Sequence, residues 1–281
     1  MYFRKRGTTD KIGLCLTYGL IAYMGAISGP FLLWDELRDS PVTRMGLVFL
    51  NAMVFLDIFL LIYVSTTRGY VETEEYVPGG KFCYDCKKAK PERAHHCSRC
   101  KTCINRMDHH CPWVGSCVNA NNLGNFIKLI TCIFLSSVLC LGLHGYAFHK
   151  KVQVLQDPFS VSTKICMIGL NICLLTLISC GVLLILIRQL RLLARNITYL
   201  ESLQIRILKR LGVVVPHNPY DKGTLHNIRN SLGGIKGFLL CQEPEDAHEF
   251  GYSEYWPPMR MSKSVTSSRV AINTDGTRNV E

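Results

Sequence analysis

Long apolar stretches alternate with charged and polar segments along the chain. Four of these stretches reach the length of roughly 20 residues that a helix needs to cross a bilayer. They run over 12–34, 45–65, 126–148 and 165–187. Buried helices of soluble proteins are rarely this long and this uniformly apolar. The pattern therefore predicts an all-α integral membrane protein with four transmembrane helices.

The composition supports a membrane protein. Hydrophobic residues make up 48% of the 281 positions and charged residues only 19%, against roughly 25% charged in a typical soluble domain. These values exclude a disordered chain and disfavour an ordinary soluble enzyme. The first apolar stretch is too long for the core of a signal peptide and has no small-residue cleavage site after it, so we expect an uncleaved anchor.

The charge distribution predicts the topology. The net charge of +11 needs an acidic partner such as phosphate, nucleic acid or an anionic membrane face. Lys and Arg concentrate in residues 1–11, in the segment 66–125 and at the start of the tail. Because basic segments stay on the cytosolic side, we expect both termini and 66–125 to be cytosolic. We expect residues 188–256 to form a cytosolic C-terminal region and the polar residues 257–281 to be disordered.

One acid, Asp57, falls inside the second apolar stretch. An acid at membrane depth is a functional candidate by default. No second acid or basic partner lies at that depth to form a relay. We therefore favour the interpretation that Asp57 faces the helix bundle and is hydrogen-bonded to a Ser, Thr or Tyr of a neighbouring helix.

The segment between the second and third apolar stretches is rich in cysteine and histidine. Seven of the 14 cysteines lie between positions 83 and 117, together with two His-His pairs. Cytosolic thiols stay reduced, and the Cys-x-x-Cys pairs at 83/86 and 97/100 have the spacing of zinc ligands. Two closed sites need eight ligands, so seven cysteines and four histidines leave three residues over. The spacing does not choose which residues share a site, and we identify no internal repeat.

One cysteine of the cluster has neighbours that suit catalysis. Cys111 ends the tetrad Asp108-His109-His110-Cys111. It therefore lies beside a candidate base and a candidate orienting acid. A thiol next to a base that is oriented by a third group is the arrangement of an activated nucleophile.

This tetrad, within this Cys/His spacing and between two membrane segments, closely resembles the DHHC family of protein S-acyltransferases. The resemblance covers most of residues 12–235. It implies that 66–125 is a zinc-stabilised, cysteine-rich catalytic domain with two interleaved structural Zn²⁺ sites. The implied ligands are Cys83, Cys86, His96 and Cys103 in one site, and Cys97, Cys100, His110 and Cys117 in the other. We then expect the remaining His95 to form hydrogen bonds near a ligand rather than to bind metal.

The same resemblance implies a ping-pong transfer of a long-chain acyl group. Cys111 would attack the thioester of palmitoyl-CoA or another acyl-CoA, His109 would take the thiol proton, and Asp108 would orient His109. A cysteine of a substrate protein would then take the acyl group. The expected partners are long-chain acyl-CoA, cytosolic-face proteins with membrane-proximal cysteines and membrane lipid, with no nucleic acid. The expected location is an endomembrane, either the endoplasmic reticulum or the Golgi apparatus.

Other family motifs match in part. The C-terminal motif is present as Asn218-Pro219-Tyr220-Asp221-Lys222-Gly223, followed by Asn227. The family's Asp-Pro-Gly is Thr67-Arg68-Gly69 here, its Thr-Thr-x-Glu is Thr198-Tyr199-Leu200-Glu201, and Asn119 stands where Gly is usual. These differences lie where the tail and the linker are expected to dock on the catalytic segment.

Ser136 is a candidate for the acyl-chain site. The acyl chain of the implied acyl-enzyme would run between the helices, because burial stabilises each of its methylenes by about 0.8 kcal/mol. Ser136 follows the start of the third stretch by ten residues, which is roughly 15 Å along a helix. This depth makes Ser136 a candidate for the floor of the acyl-chain cavity, where the far end of the chain would lie. Alternatively, it is a small residue that lets two helices approach closely.

The main alternative class is an interaction protein, either a membrane-anchored zinc-finger module or a RING-like ubiquitin ligase. It would explain the zinc-ligand spacing. It gives no role to Asp108, His109 and the surplus Cys111. An acyl label on Cys111 that hydroxylamine releases is expected only of the transferase.

Overall fold

The computed structural model describes residues 7–25, 33, 40–71, 81–153 and 163–233. The helices within these ranges are α1 Thr8–Ala22, α2 Pro41–Thr66, α3 Leu123–Gln153, α4 Thr163–Ala194, α5 Tyr199–Arg210 and α6 Thr224–Leu232. The strands all lie between α2 and α3: β1 Lys81–Cys83, β2 Lys88–Lys90, β3 His95–Cys97, β4 Thr102–Ile104, β5 His109–Cys111 and β6 Ser116–Val118. The chain is therefore mostly helical, with one small strand-containing region that holds the cysteine cluster.

Helices α2, α3 and α4 are long and apolar enough to cross a membrane. The mean hydropathies of their most apolar windows are 2.5, 2.3 and 2.7, and the predicted segments 45–65, 126–148 and 165–187 fall within them. The predicted first span, 12–34, begins in α1, but most of its second half lies outside the described residues, as does the predicted disordered end. Within the described ranges, three helices have membrane length.

The packing of these helices leaves an apolar outer surface. α3 packs against both α2 and α4. Large apolar side chains face outward on α2 and α4, among them Phe55, Phe59, Leu170, Leu177 and Leu184. Soluble monomers rarely expose extensive apolar patches, so lipid is the solvent that suits this surface.

Polar side chains inside the bundle bond to one another. Asp57 on α2 is fully buried and accepts a hydrogen bond from Ser136 Oγ on α3 at 2.8 Å. At the next residue of α3, Ser137 Oγ accepts a hydrogen bond from Ser179 Oγ on α4 at 2.9 Å. The interpretation that Asp57 faces the bundle and bonds to a hydroxyl of a neighbouring helix is confirmed.

The six strands form three antiparallel hairpins, β1–β2, β3–β4 and β5–β6. The hairpins repeat every 14 residues, so that Cys83, Cys97 and Cys111 each end the first strand of a hairpin. The prediction that the chain has no internal repeat is therefore wrong. The repeat is short, and few of its positions are chemically alike. It becomes evident only when residues at the same place in successive hairpins are compared.

The residues after α4 fold back on the hairpins. Thr198 and Glu201 form a capping box at the start of α5, in which each side chain accepts the other's backbone N–H. The Glu201 carboxylate also accepts from Nε and Nη2 of Arg93, at 2.6 and 2.7 Å. Beyond α5, Asn227 Nδ2 donates to the carbonyl of Ala194 at 2.9 Å. The bidentate Arg93–Glu201 pair joins the tail to the loop before β3 with a fixed geometry.

Gly69, which matches the family motif, packs against Asn119, which differs from it. A Cβ atom at Gly69 would clash with the Asn119 side chain, so this position requires glycine. The Asn119 side chain donates to the carbonyl of Cys117 and accepts from Asn121 N–H, both at 2.9 Å. The linker after α2 therefore packs closely against the end of the last hairpin.

Candidate zinc centres and thiol site

The eight predicted metal ligands come together in two groups. Within each group, the possible ligand atoms all lie within 4.8 Å of one another. The first group is Cys83, Cys86, His96 and Cys103, and the second is Cys97, Cys100, His110 and Cys117. These are the two sets that the family resemblance implied.

The interleaving of the two groups follows from strand geometry. Successive side chains of a strand point to opposite faces, so His96 and Cys97 on β3 enter different groups. Each group takes a Cys-x-x-Cys pair from one hairpin and a cross-strand His–Cys pair from the next. The cross-strand pairs are His96 with Cys103 and His110 with Cys117. Each metal ion would therefore tie one hairpin to the next.

The geometry of both groups fits zinc. Four ligands in a tetrahedron around Zn²⁺, with their usual bond lengths, lie about 3.5–3.8 Å apart. In the second group, His110 Nδ1 lies 3.6, 3.5 and 3.4 Å from the sulfurs of Cys97, Cys100 and Cys117. In the first group, His96 Nδ1 lies 3.6 and 3.2 Å from the sulfurs of Cys83 and Cys86. Three cysteines and one histidine at these separations are the donor set of a closed structural site.

Cys111 stays outside both groups because of its place in the repeat. It occupies the position that Cys83 and Cys97 have in the two preceding hairpins. No fourth hairpin lies in the described part of the chain to supply a matching His–Cys pair. The residue three positions further on is Val114, where the other hairpins have their second cysteine. The repeat therefore ends with one thiol that no metal group uses.

The side chain of His109 faces this thiol. Alternation along β5 places His109 and Cys111 on one face and His110 on the other, and the His109 and Cys111 side chains are close enough to interact electrostatically. His109 Nδ1 lies 2.6 Å from Asp108 Oδ2. Donation from Nδ1–H to Asp108 leaves Nε2 of the imidazole for the thiol. The three side chains thus form an acid–imidazole–thiol series.

The tail fixes the orientation of Asp108. This carboxylate is 1% exposed and accepts from the backbone N–H of Tyr199 at 2.7 Å and from Gln189 Nε2 at 3.2 Å. Sequence analysis missed both contacts. Tyr199 acts through its backbone, so its side chain carries no signal, although the motif around it does. Nothing in the local sequence marks Gln189, which lies in the last turns of α4.

The contacts of His109 and Asp108 shift both pKa values. Burial alone would lower the pKa of His109, but the hydrogen bonds and charges of Asp108 and Cys111 outweigh it and raise the pKa to about 9. Burial would raise the pKa of Asp108, but the interactions with His109 and with the Tyr199 N–H hold it below its usual range. Both effects favour an imidazolium–carboxylate pair next to Cys111, which is the state that His109 reaches once it has taken the thiol proton.

The thiol lies against an apolar region. Cys111 is 7% exposed and belongs to the same buried apolar cluster as Val64, Phe126 and Ile130, which continues between the long helices. The ring of Phe126 contacts His109 edge-on, with centroids 5.5 Å apart. A hydrocarbon chain attached at this sulfur would meet apolar side chains rather than water.

Asn196 is a further residue that sequence analysis missed. Its side-chain oxygen accepts from Arg93 at 3.1 Å and from Arg106 at 2.5 Å, and its Nδ2 donates to the carbonyl of Tyr220 at 2.7 Å. Its backbone is left-handed, with φ of 48°, a conformation that asparagine tolerates better than most residues. Asn196 thus joins the hairpin region to the C-terminal motif. Its position just after α4 is the one available signal.

Comparison with known families agrees with this site. The family model for DHHC palmitoyltransferase matches residues 77–206, which include all three hairpins, α3 and α4. The chain therefore carries a DHHC palmitoyltransferase domain, and the resemblance drawn from the sequence is confirmed. No curated protein matches the chain.

Proposed function

We propose that this protein is a protein-cysteine S-palmitoyltransferase that works through an acyl-enzyme on Cys111. The observation that carries the proposal is the Asp108–His109–Cys111 series, in which the one cysteine of the hairpins that no metal group uses lies beside an imidazole held by a buried carboxylate. The DHHC domain match supports the reaction class. Residues 66–125 are the catalytic domain in this proposal.

The transfer has two balanced steps. His109 Nε2 takes the proton of the Cys111 thiol, and the thiolate attacks the carbonyl carbon of an acyl-CoA. The carbon–sulfur bond to CoA breaks, and CoA leaves with the proton returned by His109. A cysteine thiol of a substrate protein then attacks the acyl group on Cys111 in the same way. Asp108 keeps the imidazole oriented throughout, since Tyr199 and Gln189 hold its carboxylate.

The two metal groups have a structural role in this proposal. Two Zn²⁺ ions, each held by three cysteines and one histidine, would stabilise the hairpins, since all four positions of a tetrahedral site are then protein ligands. By holding His110, the second group also fixes the strand on which His109 and Cys111 lie.

The proposed setting is a membrane. The proposed topology has four helices, with both termini and the DHHC domain cytosolic, and the apolar stretches and the positions of Lys and Arg support it. The partners would be long-chain acyl-CoA, membrane lipid and cytosolic-face proteins whose cysteines lie close to the bilayer. An endomembrane, the endoplasmic reticulum or the Golgi apparatus, is the proposed location. A RING-like ligase or other zinc-finger interaction module is disfavoured, because it leaves the Asp108–His109–Cys111 contacts without a role.

Replacement of the base tests the mechanism. We expect His109→Ala to lower the rate of self-acylation with palmitoyl-CoA by about 10²–10⁴-fold, the usual contribution of general base catalysis. Zinc content should remain at two ions per chain. The measurement is the rate of hydroxylamine-sensitive acyl labelling, with zinc determined on the same sample.

The repeat supplies a matched control for this variant. His95 lies 14 residues before His109, at the same place in β3, but is not next to a free thiol. His95→Ala should retain most of the labelling rate. Equal losses in His95→Ala and His109→Ala would mean that His109 acts only through the stability of its hairpin.

A bulkier side chain at position 136 tests the proposed acyl-chain cavity. Ser136 is buried between α2 and α3, so a phenyl ring there would shorten the space below the thiol. We expect Ser136→Phe to shift the preference from palmitoyl-CoA and stearoyl-CoA toward shorter acyl-CoAs, while activity with the shorter ones is kept. Rates with a series of acyl-CoA chain lengths measure this shift.

The control for this prediction is Ser136→Ala. It removes the hydrogen bond to Asp57 without adding volume, and it should leave the chain-length preference unchanged. If Ser136→Phe instead loses activity equally at every chain length, Ser136 is a packing residue and the cavity lies elsewhere.

A further inference from the structure

The first helix docks directly on the thiol-containing hairpin. Three α1 residues on one face make the contacts. Thr17 Oγ1 donates to the carbonyl of Trp113 at 2.9 Å, and a Cβ atom at Gly13 would clash with the backbone of Pro112. Asp10, one turn nearer the start of α1, contacts the residue just before Cys111. The spacing of 10, 13 and 17 is that of one helix face.

The Asp10 contact reaches a ligand of the second metal group. Asp10 Oδ1 accepts a hydrogen bond from Nε2–H of His110 at 3.0 Å, while Nδ1 of the same ring faces the three sulfurs. Asp10 is 6% exposed although it lies in the first turn of α1. Arg99, within the Cys97–Cys100 turn, lies 3.5 Å from the same oxygen. A buried carboxylate is thus aimed at the ring nitrogen that does not face the metal position.

Among the described residues, no carboxylate holds the histidine of the first metal group in the same way. Nε2 of His96 lies 3.8 Å from the carboxylate of Asp85, which is beyond hydrogen-bonding distance. The Asp85 side chain is 76% exposed. The two groups therefore have the same ligands but differ in what holds the histidine.

We propose that Asp10 is a positioning residue of the second zinc site, through which the N-terminal helix fixes His110 and the strand that carries Cys111. A carboxylate that accepts from the outer nitrogen of a metal-bound histidine fixes its tautomer and ring orientation and raises its basicity as a ligand. The proposal rests on the proposed zinc sites and does not depend on acyl transfer. It gives the start of α1, ahead of the apolar stretch that begins at residue 12, a role in the metal centre.

Zinc release from the full-length protein in detergent tests the proposal. Asp10→Asn keeps the size of the side chain but weakens the acceptor. Loss of such a partner usually lowers metal affinity by about 10–100-fold, so we expect one of the two zinc ions to leave faster by that factor in the presence of a chromogenic chelator. The other ion should leave at the wild-type rate. If the wild-type protein holds no zinc at all, the zinc sites fail and the role of Asp10 fails with them, whereas a wild-type release rate in Asp10→Asn with two zinc ions bound overturns the role of Asp10 alone.

Two variants are matched controls. Asp85→Asn makes the same change beside the first group and should leave both release rates unchanged, because its contact is long and exposed. Thr17→Val loosens α1 on the Trp113 loop without touching His110, and it should also leave both release rates unchanged.

If Asp10→Asn does not fold, Asp10→Glu and Asp10→Ala can be compared instead. Asp10→Glu keeps the carboxylate, so it should release zinc at a rate closer to wild type than Asp10→Ala. A wild-type release rate in Asp10→Asn, or equal acceleration in Thr17→Val, would overturn the proposal.

Discussion

Replacement of Cys111 by serine should abolish both self-acylation and transfer while the protein keeps two zinc ions. The hydroxyl is not ionised near neutral pH, so a nucleophile is lost, and loss of a nucleophile lowers the rate by about 10³-fold or more. The zinc ions should stay because Cys111 lies outside both metal groups. Acyl labelling and zinc analysis of the purified variant measure the two expectations together.

The 14-residue repeat makes Cys97→Ser the matched control for this prediction. Cys97 has the same place in β3 that Cys111 has in β5, but its sulfur belongs to the second metal group. Cys97→Ser should therefore lose zinc as well as activity. If Cys111→Ser also loses a zinc ion, our division between ligands and nucleophile is wrong.

The second large effect concerns the metal sites. Each hairpin has strands of only three residues, and isolated hairpins are at best marginally stable. The binding free energy of a structural zinc ion, about 10–16 kcal/mol, is in such cases folding free energy. We expect Cys103→Ala to unfold the first two hairpins, which hydrogen exchange of the β1–β4 amides would detect, and to leave no more than one zinc ion per chain.

Cys15→Ala is the control for loss of a thiol. Cys15 is exposed on α1 and outside both metal groups, so its replacement should leave zinc content and amide protection unchanged. Unaltered amide protection in Cys103→Ala would mean that the hairpins are held by contacts with the helices and not by metal.

Much of this fold can be predicted from the sequence because its strongest signals are local. Apolar stretches of membrane length can be recognised in the sequence without any knowledge of tertiary contacts. α2, α3 and α4 contain three of the four predicted segments. Each of these helices extends past its predicted segment. The extra turns lie where polar residues continue the helix, and an apolar window does not include them.

The pairing of ligands is nonlocal, and here sequence spacing alone was insufficient. The interleaving depends on opposite orientations of His96 and Cys97, which follow only once β3 is known to be a strand. The two copies of His-His-Cys, at 95–97 and 109–111, and the 14-residue period contained this information. Aligned by that period, and with the two His-His-Cys segments taken as strands, the sequence would have given the ligand sets and marked Cys111 as the cysteine outside them.

Contacts between distant segments could not be predicted. Asp10 meets His110 across 100 positions, and Gln189 meets Asp108 across 81. No periodicity or motif links such pairs, since each depends on how the helix ends pack around the hairpins. Asp108 also accepts a hydrogen bond from the backbone N–H of Tyr199. Almost any residue at position 199 could donate this bond, so the identity of the side chain does not predict it.

The central claim is that Cys111 carries the acyl group between the two substrates. The most direct measurement incubates the purified protein with palmitoyl-CoA alone and locates the acyl group by mass spectrometry of peptides, with CoA release followed in parallel. We expect one hydroxylamine-sensitive palmitoyl group on Cys111 and release of CoA before any acceptor is added. An acyl group found only on other cysteines, or release of CoA that begins only when an acceptor protein is added, would contradict the account.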